Sequence, residues 1–595
     1  MRPALRRGGK RRSREVFSWV APVFARGLRY PAMSSEISAN DEVAGEREPS
    51  LLDCACETFV GDLAALSPTD ATAWGIDGFD GELQDFSPDY WNDVAERNRE
   101  MCMDVDAFDE STDASDDEDD FDDVDHVTAE VLRDRLYLDL DLHHNGEDLR
   151  LLNNIDSPVQ TIRDTFLLMD TDTDDELEAL RSRMSKVPAA LEGYRESLIE
   201  AAAHGHVAAH RQVDNLVNQC EDLADSDSML EGLGLPADSK EVVDAKAAFG
   251  AFADWLGEEL GPQAPHHDAV GRDRYELFSR KFVGDKVDLD EAYEWGMNRV
   301  MEIRSEQEAI ARKLYGEGTS VREALHNLNQ DERYLVHGVD EIREWMQDVA
   351  DDAIAGIDGD HFDIPPEIAT IECKIDPAGT GAIFYTPPSD DLLRPGRMWW
   401  SVPEGQTTFH TWQELTTVFH EGVPGHHLQC GATLAEASAL NFWRRSACWI
   451  SGHGEGWALY AEQLMADLGY LDDLGYRMGL LDSQRLRAAR VVLDIGVHLQ
   501  KKLPDANSVW DSSIARAFLR ENTAMDDANL NFELERYLGW PGQAPSYALG
   551  QRMWEQIRDE ALAEGQSLAE FHSRALKLGS MPMSILRGEV LDEAD

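Results

Sequence analysis

With 595 residues the chain can bury at least one large core, as two or three domains or one large helical enzyme. It carries 54 Lys and Arg against 116 Asp and Glu, a formal charge of -62, which argues against nucleic acid or an anionic membrane surface as a partner. Seven scattered cysteines without C-x-x-C spacing indicate neither a disulfide framework nor a thiolate zinc site, and no apolar run is long enough to span a membrane.

The acid is spread along the whole chain and only 11 residues are lysine, a surface composition suited to concentrated salt, where screening removes most self-repulsion. The expectation is an acidic, halophilic protein in a reducing cytoplasm. Residues 1–48 differ in being basic. "RRSREVF" followed by "SWVAPVFA" loosely resembles a twin-arginine export signal, but the apolar segment is short, contains Pro22 and stops at Arg26. A disordered tail, or an extension upstream of a true start at Met33, is the preferred reading over an export signal.

Residues 49–364 read as a helical N-terminal region, with apolar residues at three- and four-residue steps in "ELEALRSRMSKVPAALEGYRESLIEAAAHG". Within it, residues 104–125 form an acidic run. Lacking the glycine and final glutamate of a helix-loop-helix calcium loop, it reads as a solvated loop. At residue 365 the texture changes. "PPEIATIECKIDPAGTGAIFYTPPSDDLLRPGRMWWSVPEG" is rich in Pro, Gly, β-branched and aromatic residues, so short strands or a hairpin precede the next helix. Tyr385 and Arg394 in this stretch are candidates for the rim of a substrate cleft, where an extended peptide can pair with a strand. Helical periodicity resumes near Thr411, and residues 365–595 form the expected metal-binding region.

"TTVFHEGVPGHHLQC" opens like H-E-x-x-H and departs from it, because Pro424 stands four residues after His420. On an unbroken helix His426 points away from His420, while His427 shares its face about 10 Å along the axis, too far for one zinc. Pro424 has no N–H to give to the carbonyl of His420, and Gly425 accepts backbone angles that other residues resist. If the two loop out as a bulge, His426 reaches the ligand position; a kink without a bulge selects His427 instead. Glu421 then lies beside the metal as a general base. Glu455, in "SGHGEGWALYAEQL", is the candidate third ligand: it opens a new helix between small neighbours that leave room for a metal and substrate. Glu462 lies seven residues further on the same face, a carboxylate suited to support a ligand. Arg490, Asp494 and His498 follow at four-residue steps and share one helical face. Arg536 is either a clamp for a substrate carboxylate or half of an internal ion pair.

Four motifs, "HEGVPGHHLQ", "EGWALYAE", "RAARVVLDIGVH" and "ERYLGWPGQAPSYALG", together resemble the family catalogued as domain of unknown function 885, DUF885, whose members are grouped with gluzincin metallopeptidases. The resemblance implies a mainly α, gluzincin-like fold around a deep cleft, one zinc ion per chain, and hydrolysis of peptides or related bonds. Carried over residue by residue, it implies His420, His426 and Glu455 as ligands, Glu421 as base, and Tyr547 as donor to the oxyanion. His498 is a further catalytic candidate, and Asp494 can orient a ligand or face the substrate. The expected partner is a peptide or small-molecule substrate, with no nucleic acid, no membrane and no oligomeric state fixed. Hydrolysis of esters, lactones or non-peptide amides uses the same chemistry, and a non-catalytic peptide- or metal-binding protein is the alternative from another class.

Overall fold

The computed structural model describes residues 47–112, 121–376, 383–389, 391–403, 405–503 and 508–591. The basic extension, with its twin-arginine reading, lies outside them except for its last two residues. Helices make up 67% of the structure and strands 5%, so the fold is mainly α and its strands serve to place helices.

The sheet elements are β1 (Leu335–His337), β2 (Ile371–Asp376), β3 (Ile383–Thr386), β4 (Gly396–Ser401) and β5 (Thr408–His410). β1 pairs antiparallel with β5, which runs directly into the helix Thr411–Glu421. The other three form a mixed sheet in the order β2-β4-β3, parallel between β2 and β4 and antiparallel between β4 and β3. Its inward residues Ile371, Cys373, Tyr385, Met398 and Trp400 pack on Val418 and Cys430, which belong to the two helices flanking the Pro-Gly break. β1 interrupts the stretch expected to be helical. Three residues are too few to show a two-residue period, and the strand's partner lies far away in sequence.

The expected boundary at residue 365 is not a boundary of packing. Leu52, Phe59 and Leu132 share one core with Phe419, Trp457 and Trp554, so the first helices wrap the same interior as the last. A second core holds Val159, Leu191, Val213 and Phe249. In a third, Tyr275 and Leu289 meet Val491, Ile495 and Tyr537.

The acidic run is less of a loop than its composition suggests. Asp104 continues the helix Pro88–Thr112, whose Val105 is fully buried. Asp122 caps the helix Asp123–His144, and its reciprocal partner Asp125 is 1% exposed and held by Arg47 at 2.7 Å. Residues 113–120 lie outside the described residues. Asp122 and Asp125 at the run's end thus serve as a capping pair, Asp125 buried and Asp122 still exposed to solvent.

Candidate metal centre

The histidine segment is two helices rather than one helix with a bulge: Thr411–Glu421 and His426–Ala435, with a turn between them. Gly422 closes the first helix by donating to the Val418 carbonyl at 2.9 Å, and the Val423–Pro424 bond is cis. The chain then doubles back tightly. The Gly425 N–H donates to the Phe419 carbonyl at 3.0 Å, and a Cβ at Gly425 would stand 1.9 Å from the His420 carbonyl oxygen, so no side chain fits there. Trp457 Nε1–H pins the turn from outside by donating to the Pro424 carbonyl at 2.9 Å.

This turn settles which histidine meets His420. The His420 and His426 rings stand nearly perpendicular, with centroids 5.0 Å apart. Glu455 Oε2 lies 3.3 Å from His420 Nε2 and 3.7 Å from His426 Nε2. Donor atoms around a tetrahedral zinc at about 2.1 Å are roughly 3.4 Å apart, which these two separations bracket. Among the described residues this trio is the one group of histidine, cysteine or carboxylate side chains with all donor atoms within 4.8 Å of one another. His427 turns away: its Nδ1 meets the Tyr385 hydroxyl at 2.9 Å and its Nε2 the Ile368 carbonyl at 2.8 Å, so both nitrogens are engaged elsewhere. The donor set of two imidazoles and a carboxylate therefore fits a divalent ion such as zinc.

Glu462 holds the far side of His420. His420 Nδ1–H donates to Glu462 Oε1 at 2.8 Å, which turns Nε2 toward Glu455. Glu462 in turn accepts from Thr416 and, at 3.5 Å, from Ser483. His426 Nδ1 is buried without a hydrogen-bond partner. Burial opposes the charged form of His420, yet hydrogen bonds to Glu455 and Glu462 raise it to about 10. Burial also opposes the Glu455 carboxylate, but both histidines hold it well below the usual range. Glu421 goes the other way: burial raises it, and attraction to His420 and His426 offsets this only in part. Its side chain is partly exposed, and no group among the described residues donates a hydrogen bond to it.

The small residues around Glu455 do not leave room for a ligand; they let helices touch. In the helix Ser451–Asp467, a Cβ on Gly456 would come within 2.5 Å of the Gly550 carbonyl carbon, and one on Gly454 within 2.2 Å of the Trp449 ring. The close crossing at Gly456 and Gly550 carries Tyr547, one helical turn before Gly550, toward Glu455. Burial first, and repulsion from Glu455 next, push the Tyr547 phenol up.

On the helix Leu474–His498, Arg490 rests over the Tyr547 ring at 5.0 Å, while its Nε donates to the Tyr537 hydroxyl at 2.7 Å and its Nη2 to Glu533 at 2.8 Å. Asp494 and His498 point elsewhere. Asp494 Oδ1 accepts from the Tyr275 hydroxyl at 2.5 Å and from the Gly542 N–H at 3.0 Å; His498 Nε2 meets the Tyr537 carbonyl at 2.9 Å. Both brace the segment leading to Tyr547, and neither joins the trio, because each is four residues further along a helix that leaves the cluster behind. Arg536 is 1% exposed and bonds Gln543 at 2.6 Å and Glu533 at 3.4 Å, which is the internal ion pair of the two readings. Tyr385 is fully buried against His427. Arg394 lies in the β3–β4 loop, off the strand, and donates to the Pro387 and Pro395 carbonyls.

Sequence reasoning passed over Thr416, Ser483, Arg487 and Trp457. Three of them were within reach of periodicity: Thr416 precedes His420 by four residues, and Ser483 and Arg487 continue the face of Arg490 backwards.

Comparison with known proteins comes to three findings. The family model described as "Bacterial protein of unknown function (DUF885)" matches residues 68–590. No curated protein matches the sequence. Among solved structures, the "putative lipoprotein" from Colwellia psychrerythraea is similar with a TM-score of 0.76 and 20% identity, over 91% of this chain and 99% of that one. A "putative lipoprotein of unknown function" from Shewanella oneidensis has a TM-score of 0.69 and 16% identity over the same shares. At these identities the likeness is one of fold.

Proposed function

The chain belongs to the DUF885 family, and from the geometry of its buried histidine and glutamate cluster we propose that it is a zinc-dependent hydrolase, a metallopeptidase of gluzincin type acting on short peptides. The observation that carries this reading is the combination of three converging donors with an adjacent carboxylate, Glu421, that forms no hydrogen bond or ion pair among the described residues. A purely structural or storage site has no use for such a base.

His420, His426 and Glu455 would hold a zinc ion, which would supply Lewis-acid chemistry toward a carbonyl and a water. The rest is the work of the protein. Glu462 fixes the His420 tautomer through Nδ1, so that only Nε2 faces the site. Glu421, raised by burial, takes the proton of the attacking water and passes it to the leaving amine nitrogen. The Tyr547 hydroxyl, held neutral, donates to the oxygen on which charge develops. β3 forms one edge of its sheet, and its Tyr385 packs against His427, so a peptide laid along this edge runs beside the two metal-site helices. The high acidic charge supports a setting of concentrated salt.

The test is a peptide library read by mass spectrometry with zinc-loaded protein. Wild type should cleave, and Glu421→Gln should bind zinc and cleave nothing. Equal behaviour of the two proteins removes the assignment.

A further inference from the structure

Ser483, Arg487 and Arg490 occupy one face of the helix Leu474–His498, at steps of four and three residues. That face looks onto the cluster at two points. Arg487 Nη1 donates to Ser483 Oγ at 2.5 Å, Ser483 reaches Glu462 at 3.5 Å, and Glu462 holds His420. One turn on, Arg490 covers the ring of Tyr547.

The arginines along this face are not equally paired. Glu533 is the shared carboxylate of Arg490 and Arg536. Arg487 forms no salt bridge with a carboxylate among the described residues, although Asp482 on the same helix is near enough to feel its charge; its hydrogen bonds go to the Ser483 hydroxyl and carbonyl, and its Nε is buried with no acceptor. Arg536 Nε is likewise buried without an acceptor. In a chain with 116 acidic residues, a guanidinium that forms no salt bridge and leaves its Nε without an acceptor does not reflect a shortage of available anions. Leaving such a group without an acceptor is costly unless an anion arrives to complete it. A guanidinium offers parallel N–H donors that match a carboxylate.

We propose that Arg487 and Arg490 form the recognition site for a substrate carboxylate, so that the enzyme acts on peptides or N-acyl amino acids carrying a carboxylate next to the bond that is cut. This deepens the hydrolase reading and rests on it. Arg487 makes the primary contact, since its donors are the less committed; Arg490 sets the charge of the site and the position of Tyr547. The carboxylate has two sources, the free chain end or an acidic side chain of the last residue.

The test uses full-length zinc-loaded protein and N-acetylated tripeptides in three forms: free acid, C-terminal amide, and amide with glutamate in last place. Wild type should turn over the free acid roughly 10- to 150-fold better in kcat/KM than the plain amide, the span of a charge-assisted hydrogen bond. Cleavage of the glutamate amide alongside the free acid assigns the side chain as a second source. Arg487→Gln should erase the preference by lowering the free-acid rate far more than the amide rate, and Arg487→Lys should restore part of it. Calorimetric binding of the same peptides to Glu421→Gln protein gives a second readout. There the free acid should bind more tightly, and adding Arg487→Gln should level the two. Turnover of acid and amide alike overturns the proposal and leaves the hydrolase reading standing. No turnover of any form, with the acid still bound more tightly, overturns the hydrolase reading instead. Equal binding with no turnover overturns both.

Discussion

Replacement of Glu462 probes the support of the cluster without touching a donor atom. Glu462 is 1% exposed and accepts from three groups: His420 Nδ1 at 2.8 Å, the Thr416 hydroxyl and the Ser483 hydroxyl. In Glu462→Ala the Nδ1–H of His420 is buried with no acceptor, a loss of about 1–3 kcal/mol, and the ring is free to turn its Nε2 away from Glu455. Loss of such a supporting carboxylate lowers metal affinity by about 10- to 100-fold, or about 1.4–2.8 kcal/mol. Glu462→Gln keeps an oxygen for His420 and presents its amide to Thr416 and Ser483, whose hydroxyls can rotate to accept. Its loss should therefore lie at the lower end, about 10-fold. The assay is competition for zinc between apoprotein and a chromogenic chelator, with circular dichroism to show that each variant is folded. A folded Glu462→Ala protein that binds zinc as tightly as wild type refutes the idea that this carboxylate orients His420.

Three more outcomes are expected. Gly456→Ala places a methyl 2.5 Å from the Gly550 carbonyl carbon, backbone against backbone, so the two helices must part by about 1 Å at a cost of about 1–3 kcal/mol; denaturant unfolding should show the loss, and kcat should fall more than zinc affinity because Tyr547 rides on the displaced helix. Asp494 is raised by burial from 3.8 to about 7, so the folded protein holds a proton there that the unfolded chain releases. Stability from this group is thus full below about pH 4 and declines as pH rises to about 7; Asp494→Asn, which mimics the protonated form and keeps an acceptor for Tyr275 and Gly542, should flatten that decline in urea titrations at constant salt. Finally, a charge of -62 predicts a melting temperature that climbs as salt rises from roughly 0.1 M to 1 M, where the screening length falls from about 10 to 3 Å; no change in calorimetry argues against a halophilic setting.

Spacing along the chain determined the helices and much of the cluster. The pattern His420-Glu421, Pro424-Gly425, His426-His427 required a break in the helix, because proline cannot donate and a glycine must allow the close return. Glu455 and Glu462 at a seven-residue interval shared one face, and both meet His420. Periodicity of this kind is local: it fixes directions within one helix and is silent across a turn. Whether His426 or His427 faces His420 depended on the course of residues 422–425, which Trp457 holds from another helix, and on Tyr385, whose hydroxyl occupies His427. The meaning of the glycines was also out of reach, since Gly456 answers to Gly550 across a helix crossing and not to a ligand. The arginines make the same point. Arg490 and Arg536 meet on Glu533 while Arg487 forms no salt bridge among the described residues, and which charges are neutralised is a property of packing in three dimensions that no interval along the sequence encodes.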